Sequence, residues 1–500
     1  MAAGTGELAG SGPRVARLYH GLLAGCALAA WASLAVQVHL LIGSRGLLPI
    51  APVVASFAEV EQTVWTRFPS FLLWGASDAA ITAGVAAGIA LSVLALCGVW
   101  PRVCFLLSAP LYLGYSVAGR EFLSFQWDNL LIECLVLATF LPRDRSAPGA
   151  HWLQRLLLFK LYFESGIAKA QSHLGDWFDG SAMTFYYETA PLPAWPAWWL
   201  HHLPEAWHWI ESWGALSLEL FGALLILGPR RARLAALVAF TGFQLLNLAT
   251  ANYGFFVYLA LALHVFLLDD TDVARLRAWL RLPRARRFEG IVRVLRRVTL
   301  PRALRPFTRA TAGTLIGLWI AASVVTGIAH FAPSPAIAEP AADWMRVWRP
   351  FRVANAYHLF GHITRERIEP ELQAREDGAW RALDLPFKPG DPERPPPFVA
   401  PHQPRVDFRL WFYGLDFRRG APQYVVTLLD RICHDPAAVA SLFTDPPPAA
   451  PAAVRIAFWQ YHFTTPEERA ASGAWWRREL LGTSGAMACD AGARDDARRR

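Results

Sequence analysis

Lysine is rare in this sequence, and two of its three occurrences lie in one apolar stretch. Lys160 and Lys169 both fall within residues 156–183, with Glu164 between them, whereas nearly all of the 48 basic residues are arginines. A sequence that uses arginine wherever positive charge alone is needed keeps lysine for sites where a compact ammonium with an easily shifted pKa is useful. The alternative is that both are ordinary helix lysines whose ammonium groups extend to the membrane surface.

The preceding apolar run supplies carboxylates at matching depths. With a rise of about 1.5 Å per residue, Asp128 and Lys169 both lie roughly 20 Å from the inner ends of their helices. Glu133 and Lys160 lie roughly 10 Å from those ends. Because ionisable groups inside a membrane usually pair, we predict an ion pair between Asp128 and Lys169. A second pair is predicted between Lys160 and Glu133, with Glu164 as the alternative partner one helical turn away.

The composition is that of an integral membrane protein. The 500 residues are 54% hydrophobic, with 22 Trp and 30 Phe, and the mean hydropathy is +0.26. This predicts a helical protein embedded in the lipid bilayer. The net charge of +8 does not indicate a nucleic-acid partner, because the arginines cluster between apolar runs. The six cysteines lack metal-ligand spacing, and no soluble-enzyme motif is present, so neither a metal nor a cofactor is predicted.

Nine apolar runs predict a polytopic α-helical protein of about nine spanning helices. Arginines are concentrated in alternate connections, which places the amino terminus in the cytoplasm and everything after the ninth run outside it. The last third of the chain shows strand-like alternation and turn residues, including a hairpin around Asp377 and Gly378, and predicts an extramembrane α+β domain. The nine runs are 18–42, 79–99, 103–117, 122–141, 153–170, 207–227, 234–251, 255–268 and 311–331.

These observations divide the chain into six parts. Cys433 and Cys489 are the two cysteines in polar sequence, and an extracytoplasmic domain would allow a disulfide between them, which the sequence leaves open. The predicted parts are a disordered cytoplasmic amino terminus (1–17), a transmembrane bundle (18–268) with longer outer loops at 43–78 and 171–206, a basic cytoplasmic link (269–310), a last transmembrane helix (311–331), the α+β domain (332–482) and a disordered tail (483–500).

Several longer patterns follow one another in a distinctive order. The bundle contains QWDNLLIE at 126–133, then LFK at 158–160 and GIAK at 166–169. The outer-loop pattern contains Trp177, Tyr187, Glu188, Thr189, Pro191 and His202, with Asn252 later. The C-terminal pattern contains Lys388, Pro389, Gly390, Asp391, Arg394, Pro401, His402, Gln403, Arg405 and Asp407.

In this order the patterns resemble the lipase maturation factor family over most of the chain, from about residue 120 to about residue 480. The sequence departs from the family at three positions: Lys160 stands where Arg is common, Tyr186 where His is frequent, and Ala190 where Gln is common. These departures leave the resemblance intact and weaken any residue-level role for the three positions.

The resemblance implies a function in assisting exported proteins. Vertebrate members act in the endoplasmic reticulum membrane and are needed for dimeric lipases to fold and assemble. The expected partners are therefore the lipid bilayer and an exported lipase or another client. The C-terminal domain would face the periplasm in a bacterium, which the Ala- and Arg-rich composition suggests, or the endoplasmic reticulum lumen in a eukaryote.

A second, shorter resemblance suggests an enzyme instead. Tyr162, Gly166 and Lys169, with Trp177 and Gly180 beyond them, are similar to a helix-and-turn signature of vitamin K-dependent carboxylases and related bacterial membrane proteins. It implies that Lys169 acts as a base on a lipid or peptide, with Asp128 or Glu188 setting its pKa. An ion pair with Asp128 would instead keep Lys169 charged. The question of catalysis stays open, and the maturation factor is the favoured hypothesis.

Overall fold

Long apolar helices form the first two thirds of the protein, which a computed structural model describes over residues 12–57, 64–280, 309–332 and 334–489. Proline opens α1, α6 and α8, at positions where its missing N–H has no helical partner to lose. The helices are α1 (Pro13–Ala35), α2 (Val38–Ile42), α3 (Ala51–Phe57), α4 (Val64–Arg67), α5 (Asp78–Leu96), α6 (Pro101–Ala118), α7 (Gln126–Ala138), α8 (Pro148–Ala170), α9 (Ala182–Thr189), α10 (Pro196–His201), α11 (Glu205–Leu220), α12 (Arg230–Thr250), α13 (Phe256–His264), α14 (Asp270–Trp279), α15 (Arg309–Phe331) and α16 (Pro335–Met345).

Five of these helical stretches are long and apolar enough to cross a membrane. Every predicted apolar run overlaps a helix, but the count of about nine spans is not confirmed by length and composition. Four of the nine runs, those at α6, α7, α8 and α13, are not among these five. Two of them fall short for different reasons, since α7 has only 13 residues and α8 carries several charged side chains. The five candidates are Pro13–Ala35, Asp78–Leu96, Glu205–Leu227, Arg230–Thr250 and Thr311–Phe331, and Phe256–Leu267 is a shorter apolar helix.

The arginine-rich connections meet at one end of the bundle, which we call the arginine end. Arg17 donates to the carbonyl of Arg143 at 3.3 Å, and Arg155 donates to the carbonyl of Phe266 at 2.7 Å. Carboxylates at the start of α14 complete the cluster, because Asp269 pairs with Arg233 at 2.9 Å. The rest of the predicted basic link, residues 281–308, lies outside the described residues, as do residues 1–11.

The C-terminal domain is built on an antiparallel sheet in the order β2-β1-β3-β4, with β5 beside β3. The predicted hairpin is confirmed: Asp377 and Gly378 adopt φ of 49° and 81°, the left-handed conformations that a tight two-residue turn requires. The strands are β1 (Ile368–Glu376), β2 (Ala379–Leu383), β3 (Ala453–Phe463), β4 (Trp476–Thr483) and β5 (Met487–Ala488), and the helices are α17 (Arg405–Leu415), α18 (Gln423–His434), α19 (Pro436–Val439) and α20 (Pro466–Ser472).

The predicted disordered tail begins too early. Strand β5 follows residue 483, and Cys489 forms a disulfide with Cys433 on α18. The disulfide that the sequence left open is therefore present, and the ordered domain extends at least to Cys489. The reason is local: a two-residue strand is too short to leave an alternation pattern.

The predicted start of the domain at residue 332 is also wrong. After α15 the chain turns and runs back beside that helix, so that Trp319 donates to the carbonyl of Val353 at 2.9 Å. The chain then runs alongside α8, where the Leu359 N–H lies 3.4 Å from the Ser165 hydroxyl. We call residues 346–364 the returning segment. Its irregular backbone can lie among the helices of the bundle because neighbouring protein groups satisfy its polar atoms.

Candidate functional site: an interdomain clamp and the cleft beside it

A buried ion pair fastens the C-terminal domain to the bundle. Arg405, at the start of α17, makes a bidentate contact with Asp128 on α7, at 2.6 and 2.7 Å. The Tyr112 hydroxyl donates to the same carboxylate at 2.7 Å, and Arg405 also donates to the carbonyl of Phe122. The predicted pair between Asp128 and Lys169 is therefore wrong, because a guanidinium from far along the chain occupies the carboxylate. We call the interdomain contact built on this pair the clamp, and the end of the bundle that carries it the domain end.

Lys169 pairs with a different carboxylate. Its ammonium lies 2.6 Å from Glu219 of α11 and donates to the carbonyl of Leu359 at 2.9 Å. The Trp177 ring, 5.0 Å away, adds a cation–π contact. Lys169 is 1% exposed, so its amine is enclosed by these partners and is not presented to a ligand. This geometry does not support the hypothesis of a catalytic base, since neither Asp128 nor Glu188 is its partner.

The second predicted pair is confirmed, within a larger network. The Lys160 ammonium lies 3.4 Å from Glu133. Glu133 also accepts hydrogen bonds from Trp319 at 3.0 Å, from Asn355 at 2.9 Å and from Tyr357 at 2.6 Å. The network thus ties α7, α8 and α15 to the returning segment.

Glu164 holds the same segment one turn further along α8. Its carboxylate accepts the backbone N–H of Tyr357 at 2.8 Å. The five intramembrane charges predicted as a network therefore separate into the pair with Arg405, the pair with Glu219, and this group around the returning segment.

The outer-loop pattern forms the other half of the interdomain contact. Glu188 accepts the N–H of Phe463 at 2.7 Å and lies 2.9 Å from His462 Nδ1. Burial raises the pKa of Glu188, but the hydrogen bonds from these two residues hold it below its ordinary value. The hydrogen bond to Glu188 in turn raises the pKa of His462.

Two further donors from the domain contact backbone carbonyls of the outer-loop pattern. Trp411 donates to the carbonyl of Thr189 at 2.9 Å, and Arg367 donates to the carbonyl of Pro191 at 3.1 Å.

The remaining outer-loop residues support this contact. Asn252 accepts the N–H of Val399 at 2.7 Å and donates to the carbonyl of Pro397 at 2.9 Å, so it binds a domain loop directly. Tyr187 and Trp177 are buried in an aromatic cluster that includes Trp476 of the domain. His202 lies within its own loop, with Nδ1 2.7 Å from the carbonyl of Trp198.

The C-terminal pattern divides into a docking part and a structural part. In the docking part, His402 Nδ1 lies 2.9 Å from the Ser33 hydroxyl, and the carbonyl of Gln403 accepts from Gln37 at 2.8 Å. Both partners lie at or just beyond the end of α1. Pro401 precedes His402 and follows a cis peptide bond.

The structural part holds a buried charge cluster behind the clamp. Lys388 lies 2.6 Å from Glu369, which also pairs with Arg367 at 2.8 Å. Burial lowers the pKa of Lys388. Burial also raises the pKa of Asp407 to about 7, although Lys388 opposes this change. These side chains position the start of α17, which carries Arg405.

The rest of the structural part shapes the loop that begins at Lys388. Arg394 pairs with Asp384 and donates to the carbonyl of Lys388 at 2.7 Å. The carbonyl of Gly390, next to Pro389, accepts from Tyr461 at 2.7 Å. Asp391 accepts the N–H of Glu393 at 3.0 Å.

A large cleft lies beside the clamp, between the bundle and the domain. Its volume is about 1710 Å³. It is lined by the start of α7, the end of α8, the end of α15, the returning segment and α17. We call it the interdomain cleft. Its aromatic lining includes Phe125, Trp127, Phe408, Trp411 and Phe412, and its charged lining includes Arg67, Arg349, Arg352, Arg409, Arg419 and Asp416.

Several residues that build this site were missed in the sequence. Arg367, Arg352 and Tyr357 come from segments without charge periodicity, and only their distant partners give them a role. Glu219 could have been found, because an ionisable residue inside an apolar run indicates a buried partner.

The fold and site define a class: a helical, membrane-type protein with a C-terminal sheet domain clamped to one end of its bundle. Comparison with known sequences names the family. The lipase maturation factor transmembrane domain matches residues 14–275, and the lipase maturation factor C-terminal domain matches residues 353–486. The chain therefore belongs to the lipase maturation factor family.

Individual members of this family are similar to the chain over most of its length. Lipase maturation factor 2 of Homo sapiens is 28% identical, over 90% of this chain and 79% of the human protein. Lipase maturation factor 1 of Bos taurus is 27% identical, over 88% of this chain and 83% of the bovine protein. No solved structure matches the chain. These comparisons lend no support to the carboxylase-like alternative.

Proposed function

We propose that this protein is a membrane-embedded maturation factor that assists the folding or assembly of an exported client such as a lipase. The observation that carries the proposal is the clamp. Both family patterns contribute to the interdomain contact, because Glu188 of the outer-loop pattern contacts His462 of the domain and Arg405 of the C-terminal pattern contacts Asp128 of the bundle. A domain held rigidly at one end of a bundle suits a factor that presents a fixed surface to a folding chain.

We further propose that the domain end faces away from the cytoplasm and that the chain crosses the membrane nine times. Arginine concentrates at the opposite end, as the positive-inside rule requires of a cytoplasmic face. An odd number of crossings carries the chain from Arg14, at the arginine end, to the domain. The disulfide between Cys433 and Cys489 is a bond of oxidising compartments, which supports the same orientation.

The test is client maturation in cells. A host lacking its own family member should be supplied with this chain and with a secreted lipase. We expect active exported lipase to increase while total lipase protein changes little, because a maturation factor acts on folding and not on synthesis. The variant Arg405→Met should lose this effect at equal membrane abundance. Arg418→Met, an exposed arginine just beyond α17, is the matched control and should retain it. Exported lipase activity that does not depend on the chain would refute the proposal.

A further inference from the structure

The interdomain cleft has an excess of positive charge. Among the described residues, its lining contains five arginines and one carboxylate, that of Asp416. Asp416 pairs with Arg419 at 3.3 Å, and Arg409 lies 3.5 Å from Glu121. Arg352 is different, since its guanidinium donates to neutral oxygens of Leu123, Asn129 and Ser116. Within the described residues Arg352 makes no ion pair, and the carboxylate that acts on it electrostatically, Asp128, is already paired with Arg405.

A hydrogen-bond donor without a partner lies in the same lining. Trp127 is 6% exposed, and its indole Nε1 is buried with no hydrogen-bond partner among the described residues. Trp127 belongs to the first turn of α7, whose N-cap residue Phe125 provides no side-chain cap. The N-terminus of a helix favours anions, and the one carboxylate in this turn, Asp128, is already neutralised by Arg405.

The cleft also has an apolar wall, beside the ends of two long helices. The Trp127 ring stacks on Phe125 and meets Phe408 edge to face, with centroids 4.7 and 5.2 Å apart. Gln171, just beyond α8, donates to the carbonyl of Phe331, the last residue of α15. The ends of two long helices therefore meet at the cleft, where lipid headgroups would lie. Cationic and aromatic groups together suit a molecule with an anionic head and an apolar tail.

We propose that the interdomain cleft binds an anionic phospholipid from the leaflet at the domain end of the bundle. The phosphate lies among Arg349, Arg352 and the indole N–H of Trp127, and the acyl chains lie against the aromatic wall. The site does not depend on the proposed client, so it is tested on the isolated protein.

The experiment measures lipid retained by purified protein. The protein is extracted from membranes of known composition, and bound phosphatidylglycerol and phosphatidylcholine are counted per chain by mass spectrometry. We expect phosphatidylglycerol to be enriched in wild type and to fall at least threefold in Arg349→Gln. The matched control Arg346→Gln alters an exposed arginine nearby that does not line the cleft and should retain the lipid. Equal loss in both variants, or no loss in either, would overturn the proposal.

A second measurement keeps the result independent of folding defects. Thermal unfolding of each variant in detergent is followed with added phosphatidylglycerol, phosphatidylcholine or inorganic phosphate, because a ligand of the native state raises the midpoint. We expect phosphatidylglycerol alone to raise the midpoint, in wild type and in the control Arg346→Gln but not in Arg349→Gln. An equal rise with inorganic phosphate would show an anion site without lipid specificity. Displacement of phosphatidylglycerol by a soluble acidic peptide at lower concentration would show that the cleft takes polypeptide. Either outcome would overturn the lipid assignment.

Discussion

The ion pair between Arg405 and Asp128 should be the strongest single tie between the bundle and the domain. The Arg405 and Asp128 side chains are 2% and 0% exposed, and the contact is bidentate. Arg405→Met leaves the Asp128 carboxylate buried with the Tyr112 hydroxyl as its remaining donor. Removing one partner of a buried pair costs about 3–5 kcal/mol, since the other charge stays desolvated. We therefore expect Arg405→Met to lower the free energy of unfolding by that amount.

The double variant distinguishes a coupled pair from two independent sites. In Asp128→Asn/Arg405→Met no unpaired charge remains, and the Tyr112 hydroxyl can still donate to the amide oxygen. We expect the double variant to be at least 1–2 kcal/mol more stable than the sum of the single effects predicts, by urea unfolding in detergent followed by tryptophan fluorescence. The stability of Arg405→Lys should lie between those of wild type and Arg405→Met, because lysine keeps the positive charge but cannot make the bidentate contact. Additivity within about 0.5 kcal/mol would refute the reasoning.

Three further predictions concern pH, redox state and topology. The folded-state pKa of Asp407 is raised from 3.8 to about 7, which gives stability that is fully present below about pH 4 and is lost as the pH rises through about 7. The thermal unfolding midpoint of Asp407→Asn should therefore rise relative to that of wild type between about pH 5 and pH 8. A difference in midpoint that stays constant with pH would contradict this. Cys489→Ser removes a disulfide with a sequence separation of 56 and should lower the free energy of chemical unfolding by about 4 kcal/mol. An unchanged free energy of unfolding would show that the bond does not constrain the domain. In a Cys97→Ala background, which removes the exposed native thiol, a membrane-impermeant maleimide should label Ala421→Cys in intact cells. The same reagent should label Asp144→Cys only after lysis. The reverse labelling pattern would show that the proposed orientation is inverted.

Much of the architecture was predictable because its signals are local. The apolar runs locate the helices, and Asp377-Gly378 between alternating strands locates a hairpin, since each rests on residues adjacent in sequence. The pair between Lys160 and Glu133 was also accessible, because helices joined by a short connection are usually neighbours in space. These predictions needed no knowledge of how distant segments meet.

The missed features depend on such distant segments. Asp128 and Lys169 were matched by depth, but depth alone does not specify rotation about the helix axis or a competing partner. Asp128 binds Arg405, 277 positions away, and Lys169 binds a carboxylate three helices further along the chain. The returning segment was assigned to the domain because its irregular sequence lacks any periodicity. Its position among the helices is defined by Glu133 and Glu164, which accept hydrogen bonds from Tyr357.

The positions of these partners also constrain the order of assembly. Asp128 and Glu133 on α7 are synthesised long before Arg405 and the returning segment. Until those later parts of the chain are in place, Asp128 lacks Arg405 and Glu133 lacks Asn355 and Tyr357, and a buried unpaired charge is costly. The clamp therefore forms only when the last long helix and the C-terminal domain have reached the domain end of the bundle. Docking of the domain and pairing of the charges on α7 are in this way coupled, which links these buried charges to the domain surface that we propose acts on clients.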